Sequence, residues 1–264
     1  MKILDLFSGI GGMSLGLHRA SAEFETIAFC EIDKMCQEVL KKNFSNIPIF
    51  DDVTKLSKKD FNTQIDIITG GFPCQDLSIA GKKLGLLDGA RSSLFFQMLR
   101  LADELKPKYM LFENVKELLT NAFYHETFKN ELKLLGYDIF PTILRASDFG
   151  YPHIRQRAFI LAWILDTNAP GKRCSCVREI FIRAALQKCQ KRQTKQNIQF
   201  ITTADIRARC DEFIANFRQT LPSLRKIDGI STKLERIKQY GNTLIPDIPE
   251  IFGKVILEIE KLDK

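Results

Sequence analysis

The chain has 264 residues, of which 45% are hydrophobic, and a formal net charge of +7 at pH 7. A chain of this length can bury a sizeable core, and no run approaches the roughly 18 consecutive apolar residues that a membrane span needs, which excludes a membrane protein. The seven cysteines are an odd number without a disulfide spacing, and the N-terminus has no secretory leader, so we expect a reducing, cytoplasmic compartment.

The positive charge is concentrated in one region. Residues 166–240 contain sixteen Lys or Arg and seven Asp or Glu, a balance of +9, so the rest of the chain carries −2. A localised basic segment is typical of proteins that bind a polyanion such as nucleic acid, although solvated basic faces are also common.

The N-terminal segment predicts a strand, a glycine-rich turn and a helix. Lys2–Leu6 has the pattern of a buried strand, and residues 7–12 form the turn. As a dinucleotide fingerprint the turn is imperfect, because Ser14 stands where a third small glycine-like residue is expected. A second strand, Thr26–Cys30, ends at Glu31, where an acid can accept hydrogen bonds from a ribose diol. These features indicate a nucleoside-containing cofactor.

The following segment predicts a helix over Asp33–Phe44, with Asp33 as its N-cap, and a short strand over Ile47–Phe50. Carboxylates lie in or near the predicted strands at Asp5, Glu31, Asp52 and Asp66. Most carboxylates in such places cap helices or turns, and we take that interpretation first for any single one.

One cysteine, Cys74, is predicted to follow the end of a buried strand. The apolar run Ile65–Thr69 predicts a buried strand, which ends in Gly70 and Gly71, and Pro73 fixes the backbone next to Cys74. Ligands of open α/β sheets bind at the carboxyl ends of the strands, so Cys74 is a candidate nucleophile. The alternative is a free cysteine that acts as a small buried hydrophobe.

A carboxylate, Glu113, and a loop next to Cys74 are expected at the same edge of the sheet. A helix is predicted over Ser92–Leu105, and the strand Tyr109–Phe112 runs directly into Glu113. Between Cys74 and that helix, residues 75–90 form a glycine- and lysine-containing loop, either a lid over a phosphate backbone or an ordinary surface loop.

A helix over Asn121–Leu135 and a hairpin of Tyr137–Arg145 with Ala158–Trp163 are predicted next. Arg155 and Arg157 alternate at the start of the second hairpin strand and therefore point to one face. Exposed arginines are usually solvated, but a pair beside this sheet can also face an anion.

The last third of the chain is less regular. Cys174 and Cys176 lack the spacing of a zinc site and no His follows them, so we expect no metal. Ile248–Leu262 predicts an amphipathic helix that returns to the main domain.

Five blocks in this order resemble the cytosine-5 DNA methyltransferase family of the restriction-modification type. They are DLFSGIGG at 5–12, GGFPCQDLS at 70–78, ENV at 113–115, RASDFGYPHIRQRAFI at 145–160 and GNTLIP at 241–246. The resemblance covers most of residues 1–164 and 222–262.

The resemblance implies an α/β fold: a Rossmann-like, mixed, seven-stranded methyltransferase sheet with helices on both faces, plus a small target-recognition region. Residues 1–165 would form the catalytic and cofactor-binding domain, 166–221 the basic target-recognition region, and 222–264 a segment that returns to the catalytic domain. At about 55 residues, the region between the matching blocks is short for target recognition.

The family uses S-adenosyl-L-methionine, with S-adenosyl-L-homocysteine as product, and no metal. The resemblance implies that Phe7 lies against adenine, Glu31 on the ribose hydroxyls and Asp52 on the adenine amino group. The complete set of implied cofactor-binding residues is Phe7, Ser8, Gly9, Ile10, Gly11, Gly12, Glu31, Ile32, Asp52, Val53, Pro73 and Asn242.

The resemblance also implies that Cys74 is the nucleophile that adds to carbon 6 of a cytosine flipped from the duplex. Glu113 would contact ring nitrogen 3 and the amino group. Arg157, helped by Arg155, would contact the carbonyl oxygen of the base.

The implied partners are double-stranded DNA and, unless the enzyme is an orphan methylase, a cognate restriction endonuclease. We expect a monomer in the cytoplasm of a prokaryotic cell or encoded by a phage. A tRNA cytosine-5 methyltransferase with the same catalytic set is the first alternative. The others are a non-catalytic nucleic-acid-binding relic of the fold and a nicotinamide-dependent oxidoreductase, which Ser14 disfavours.

Overall fold

The computed structural model describes residues 1–73, 94–149, 151, 155–164, 172–196 and 244–262, and in the helix over 172–196 it describes the side chains of residues 176–188. Seven strands in this part of the chain form one sheet. They are β1 (Lys2–Leu6), β2 (Glu25–Cys30), β3 (Ile49–Phe50), β4 (Ile67–Gly70), β5 (Tyr109–Val115), β6 (Tyr137–Arg145) and β7 (Gln156–Ile164).

Seven α-helices are described over the same ranges. They are α1 (Gly12–Ala20), α2 (Lys34–Asn43), α3 (Leu94–Leu105), α4 (Glu117–Thr120), α5 (Ala122–Leu134), α6 (Lys172–Gln196) and α7 (Asp247–Leu262). None of the described helices is long and apolar enough to span a membrane.

The strand order is β3-β2-β1-β4-β5-β7-β6. Every pairing among β1 to β5 is parallel, whereas β7 runs antiparallel to both β5 and β6. The chain order reverses between β1 and β4, so this is the switch point where a ligand cleft opens in such sheets. The predicted mixed seven-stranded sheet is confirmed.

Side chains alternate between two apolar layers along each strand, as the pleat requires. In β5, Met110 and Phe112 face the layer of α3 and α5, and Tyr109 and Leu111 face the layer of α1, α6 and α7. Both faces of the sheet are therefore covered by helices, which explains why the strands are continuous apolar runs.

The start of helix α2 follows the predicted capping chemistry. The Asp33 carboxylate accepts hydrogen bonds from the backbone N–H groups of Met35 and Cys36, and α2 begins at the next residue. Asn121 caps α5 in the same way. Both boundaries agree with the sequence prediction to within one residue, because a local side-chain contact fixes them.

Helix α6 was not predicted. Its many charged residues obscure the apolar pattern of the helix. The apolar residues are buried in the layer of α1, α6 and α7; they are Val177, Ile180, Phe181 and Ala184. Phe181 packs 5.3 Å from Phe140 of β6, between ring centroids. The first part of the predicted target-recognition region therefore packs on the sheet of the catalytic domain.

Helices α1 and α7 approach each other closely at Gly16. A Cβ atom at Gly16 would lie 2.4 Å from the carbonyl oxygen of Pro246 and 2.6 Å from Cβ of Pro249. Backbone atoms cannot move away as a flexible side chain can, so the C-terminal helix depends on glycine at this position.

We predict that Gly16→Ala lowers the free energy of unfolding by about 1–3 kcal/mol through overpacking, despite the higher helix propensity of alanine. Urea denaturation measures this, with Arg19→Ala on the exposed face of α1 as control, for which we expect a change within about 0.5 kcal/mol. An unchanged unfolding midpoint for Gly16→Ala would contradict the packing described here.

Candidate active site

The turn after β1 lies at the switch point of the sheet. Phe7 has φ +52°, a left-handed conformation that is unusual for a bulky side chain, and Gly9 and Gly11 also have positive φ. The hydroxyl of Ser8 donates to the carbonyl oxygen of Asp5 over 2.6 Å. The turn is therefore fixed in an unusual backbone conformation beside the carboxyl end of β1, as expected where backbone closely approaches a ligand.

A buried carboxylate connects this turn to its neighbours. Asp5 is fully buried, and its Oδ2 accepts hydrogen bonds from the hydroxyl of Ser14 at 2.7 Å and from its backbone N–H at 3.3 Å. Its Oδ1 accepts from the hydroxyl of Thr69 in β4 at 2.7 Å. Burial raises the pKa of Asp5 to about 6, although the hydrogen bonds from Ser14 and Thr69 oppose that rise.

Glu31 follows the end of β2, next to the turn. Its Oε2 accepts a hydrogen bond from the backbone N–H of Gly9 at 2.7 Å, and its Oε1 accepts from that of Asp33 at 2.8 Å. Each carboxylate oxygen can accept more than one hydrogen bond, so Glu31 is oriented and still able to accept from a ligand hydroxyl.

Apolar surface lies open beside Glu31. Ile32 is 78% exposed, whereas Phe7 is partly buried against the apolar layer of α3 and α5. An exposed aliphatic side chain next to an oriented carboxylate and a glycine turn is suited to a nucleoside, which offers a flat ring and a ribose diol.

The next predicted cofactor residues lie beyond β3. Asp52 accepts hydrogen bonds from Thr54 and pairs with Lys55 at 3.3 Å, and the hydrogen bonds from Thr54 are the main cause that lowers the pKa of its carboxyl. The side chain of Val53 is buried, and its carbonyl oxygen accepts from Arg100. Val53 can therefore meet a ligand mainly through its backbone.

The segment after β4 passes close to Glu113. A Cβ atom at Gly71 would lie 2.9 Å from Oε2 of Glu113, so a glycine leaves room for this carboxylate. The buried side chain of Asn114 donates to the carbonyl oxygen of Phe72 at 3.0 Å, and Pro73 is exposed. Gly71 and Phe72, in the segment that leads to Cys74, thus contact the end of β5.

Glu113 and Arg157 meet on adjacent antiparallel strands. In the register of β5 and β7, Glu113 faces Phe159 and Val115 faces Arg157, so the two charged residues are diagonal neighbours on one face. Nε of Arg157 lies 3.0 Å from Oε1 of Glu113, yet this oxygen makes no hydrogen bond to the part of the chain that the structure describes. The contact is an ion pair without the N–H alignment of a hydrogen bond.

This face forms a pocket. Its lining joins the predicted acid and both predicted arginines to three apolar residues that come just before and within α7; the lining residues are Glu113, Leu144, Ala146, Arg155, Arg157, Phe159, Leu244, Ile245 and Ile248. Burial raises the pKa of Glu113, and the positive charges of Arg157 and Arg155 oppose that rise. A carboxyl with a raised pKa beside two guanidinium groups can share a proton with a ring nitrogen while the arginines stabilise negative charge.

The structure thus brings Glu113, Arg155 and Arg157 together in one pocket and the residues around Phe7 and Glu31 together at the switch point. Cys74 and Asn242 lie outside the described residues, as do the loop of residues 75–90 and the Cys174 and Cys189 side chains. Among the residues that the structure describes there is no group of three or more metal-ligating side chains.

Two residues that the sequence analysis did not assign to the site lie in it. Asp5 was interpreted as a cap, and Ser14 as a departure from a glycine fingerprint, whereas they hydrogen-bond to each other. A carboxylate inside an otherwise apolar strand was the available signal, because such a group must find buried partners.

A glycine turn and an acid at the switch point of a mixed seven-stranded sheet, with a carboxyl and two arginines at the next strand ends, are features of a Rossmann-like fold of the methyltransferase type. The sequence profile of the C-5 cytosine-specific DNA methylase family matches residues 1–243, and the chain belongs to this family.

Similar proteins include type II methyltransferases. The chain is 42% identical to M1.ScrFI of Lactococcus lactis subsp. cremoris over 164 residues, which are 61% of this chain and 41% of the relative. It is 37% identical to M.HhaI of Haemophilus parahaemolyticus over 170 residues, 64% of this chain and 50% of the relative.

Solved structures of similar fold include a prophage-encoded DNA modification methyltransferase from E. coli, with a TM-score of 0.50 and 32% identity over 62% of this chain and 47% of that one. A triple mutant of Spodoptera frugiperda DNMT2 matches with a TM-score of 0.53 and 27% identity over 65% and 52% of the two chains. The chain spans half or less of the length of the curated relatives it matches.

The raised pKa of Asp5 predicts a pH dependence of stability. The folded carboxyl keeps its proton up to about pH 6, against an ordinary value of 3.8, so the folded state binds more protons between these values. The free energy of unfolding therefore falls as the pH rises from about 4 to 6, by up to about 3 kcal/mol. We expect Asp5→Asn to remove this decrease.

Urea denaturation at pH 4.5, 6 and 7.5 measures the effect. Asp103→Asn, on the exposed end of α3, is the control with the same change of charge and should keep the wild-type pH dependence. If Asp5→Asn and wild type lose stability equally over this range, the buried carboxyl is not its source.

Proposed function

We propose that this protein is a DNA (cytosine-5) methyltransferase that transfers a methyl group from S-adenosyl-L-methionine to carbon 5 of a cytosine flipped from duplex DNA. The observation that carries the proposal is the pocket of Glu113, Arg155 and Arg157 beside the segment that leads to Cys74. Membership of the family and the type II relatives support it.

For the cofactor, we propose that Glu31 accepts from the ribose hydroxyls and that Phe7, Ile32 and Asp52 surround the adenine. The backbone of residues 8–12, together with Val53, Pro73 and Asn242, completes the proposed binding set. When bound, S-adenosylmethionine supplies an electrophilic methyl group on a positively charged sulfur, and S-adenosyl-L-homocysteine remains as product. The proposed reaction requires no metal.

Carbon 5 of cytosine is a weak nucleophile, and we propose that Cys74 activates it. The thiolate of Cys74 forms a bond to carbon 6, and the electron pair of the C5–C6 double bond becomes available at carbon 5. Glu113 donates a proton or a hydrogen bond to nitrogen 3 as negative charge develops on the ring. Arg157, helped by Arg155, stabilises the same charge at the carbonyl oxygen.

The reaction is completed by elimination. After carbon 5 has received the methyl group, a base removes its proton, the C5–C6 double bond forms again, and the thiolate of Cys74 leaves. The cytosine must first leave the base stack, because its reacting carbons are inaccessible in a duplex. Unstacking costs a few kcal/mol, which contacts of the protein with the DNA must offset.

We further propose that residues 166–221 contribute to recognition of the target, with residues 1–165 and 222–264 as the catalytic domain. Basic residues in this region are suited to phosphate contacts. The proposed partners are double-stranded DNA and, in a restriction-modification system, a cognate endonuclease. The protein would act as a monomer in the cytoplasm of a prokaryotic cell, including one that carries a phage.

Transfer of tritium from labelled S-adenosylmethionine tests this function. We expect label in unmethylated duplex DNA and none with Cys74→Ala, because alanine has no thiol to form the proposed bond to carbon 6. Bulk tRNA is assayed in parallel. Label in tRNA alone would identify an RNA methyltransferase, and persistent label with Cys74→Ala would refute the covalent mechanism.

Glu113→Gln tests the proposed proton donor. The amide keeps the size of the side chain but cannot supply a proton, so we expect kcat to fall by about 10²–10⁴-fold. Glu117→Gln, at an exposed glutamate four residues further on, is the control and should keep wild-type kcat. A similar kcat for wild type and Glu113→Gln would exclude Glu113 from the chemical step.

A further inference from the structure

Helix α6 contributes a lysine to a cluster of buried charges at the start of α7. Nζ of Lys188 lies 3.0 Å from Oδ1 of Asp247 and forms an ion pair with Glu250. The exposed fractions of the three side chains are 17%, 7% and 10%. Lys254 also pairs with Glu250, at 2.8 Å. We call these four residues the Lys188 cluster.

The cluster lies next to one wall of the pocket in the sequence. Ile248 lies between Asp247 and Glu250 in the first turn of α7, and it lines the pocket together with Leu244 and Ile245. Lys188 thus pairs with residues on both sides of Ile248 in the sequence. Because α6 is itself packed on the sheet through Phe181 and its neighbours, Lys188 ties the first turn of α7 to a fixed element.

A second contact links the cluster to the arginines. The hydroxyl of Tyr151 donates to Oδ2 of Asp247 at 2.6 Å. The backbone N–H of Tyr151 donates to the carbonyl oxygen of Ala146, and that of Ala146 donates to the carbonyl oxygen of Arg155. One carboxylate oxygen of Asp247 therefore pairs with Lys188, and the other accepts a hydrogen bond from Tyr151, which lies shortly before Arg155 in the sequence.

Leu244, in the same wall of the pocket, also contacts the end of the turn between β1 and α1. A Cβ atom at Gly12 would lie 3.2 Å from the carbonyl oxygen of Leu244, so Leu244 packs on the start of α1. Burial alone would raise the pKa of Glu250, but the hydrogen bonds and charges of Lys188 and Lys254 hold it below its usual value. Removal of Lys188 leaves two buried carboxylates with Lys254 as the remaining lysine of the cluster.

We propose that Lys188 is a positioning residue for methyl transfer: through Asp247 and Glu250 it sets the position of residues 244–248, which wall the pocket of Glu113 and Arg157. The inference rests on the proposed function for its kinetic consequence. It also gives α6 a role, because this helix belongs to the proposed recognition region and makes a direct ionic contact with the first turn of α7, next to the pocket.

The test compares Lys188→Met with Arg183→Met. Arg183 pairs with Glu258 at 3.4 Å between the same two helices, but both side chains are exposed and lie away from the pocket, so its loss controls for a weakened contact between α6 and α7. Lys188→Arg retains the charge. Each variant is assayed at the same interval below its own unfolding midpoint, so that a difference in stability does not imitate a difference in positioning.

Amide hydrogen exchange gives the first readout, which requires no activity. We expect Lys188→Met to speed exchange at residues 247–251 and 155–157 by at least tenfold relative to Arg183→Met. Equal exchange in the two variants would overturn the proposal. This readout tests whether Lys188 anchors residues 247–251 even if wild type methylates no nucleic acid, which would refute the proposed function separately.

Kinetics give the second readout. We expect Lys188→Met to lower kcat about tenfold, because small misplacement of catalytic groups is costly, with KM for DNA within threefold of wild type. Lys188→Arg should recover kcat to within threefold, and Arg183→Met should match wild type. Wild-type kcat for Lys188→Met, or an equal loss in Arg183→Met, would show that Lys188 only stabilises the fold.

Discussion

Three elements meet at the carboxylate of Asp5, and the arrangement of the switch point depends on this contact. Asp5 lies in β1, and its carboxylate accepts hydrogen bonds from Ser14 at the start of α1 and from Thr69 in β4. The turn between β1 and α1 faces the proposed cofactor, whereas β4 leads to the segment before Cys74. A buried carboxylate without partners is strongly unfavourable, so these hydrogen bonds maintain the spacing of the two loops as well as the fold.

The antiparallel strand β7 provides the other half of the site. Because β7 enters the sheet from the carboxyl end of β5, its first residues lie where β5 ends. This arrangement brings Arg157 beside Glu113, although 43 positions separate them in the sequence. The last helix, α7, closes the pocket from the opposite end of the chain with Ile248, so three distant segments must be folded before the pocket exists.

Much of the fold follows from local pattern. Short apolar runs predicted the strands, and Asp33 predicted the start of α2, because capping is a contact between residues two or three positions apart. Helix α6 was missed since its apolar positions are diluted by eight basic residues between 172 and 195. Its helical state depends on packing of Phe181 between Phe140 and Phe252, which no local pattern contains.

The sequence by itself determined the class of the protein, through five ordered blocks, and the positions of the acid and the arginines along the chain. It also determined which side chains could serve a nucleoside cofactor, because Glu31 follows a strand and a glycine turn precedes it. The tertiary structure decided which of these groups meet. The diagonal contact of Glu113 with Arg157 depends on strand register, and the partners of Asp5 and Lys188 lie on other elements, since buried charges are paired through space rather than along the chain.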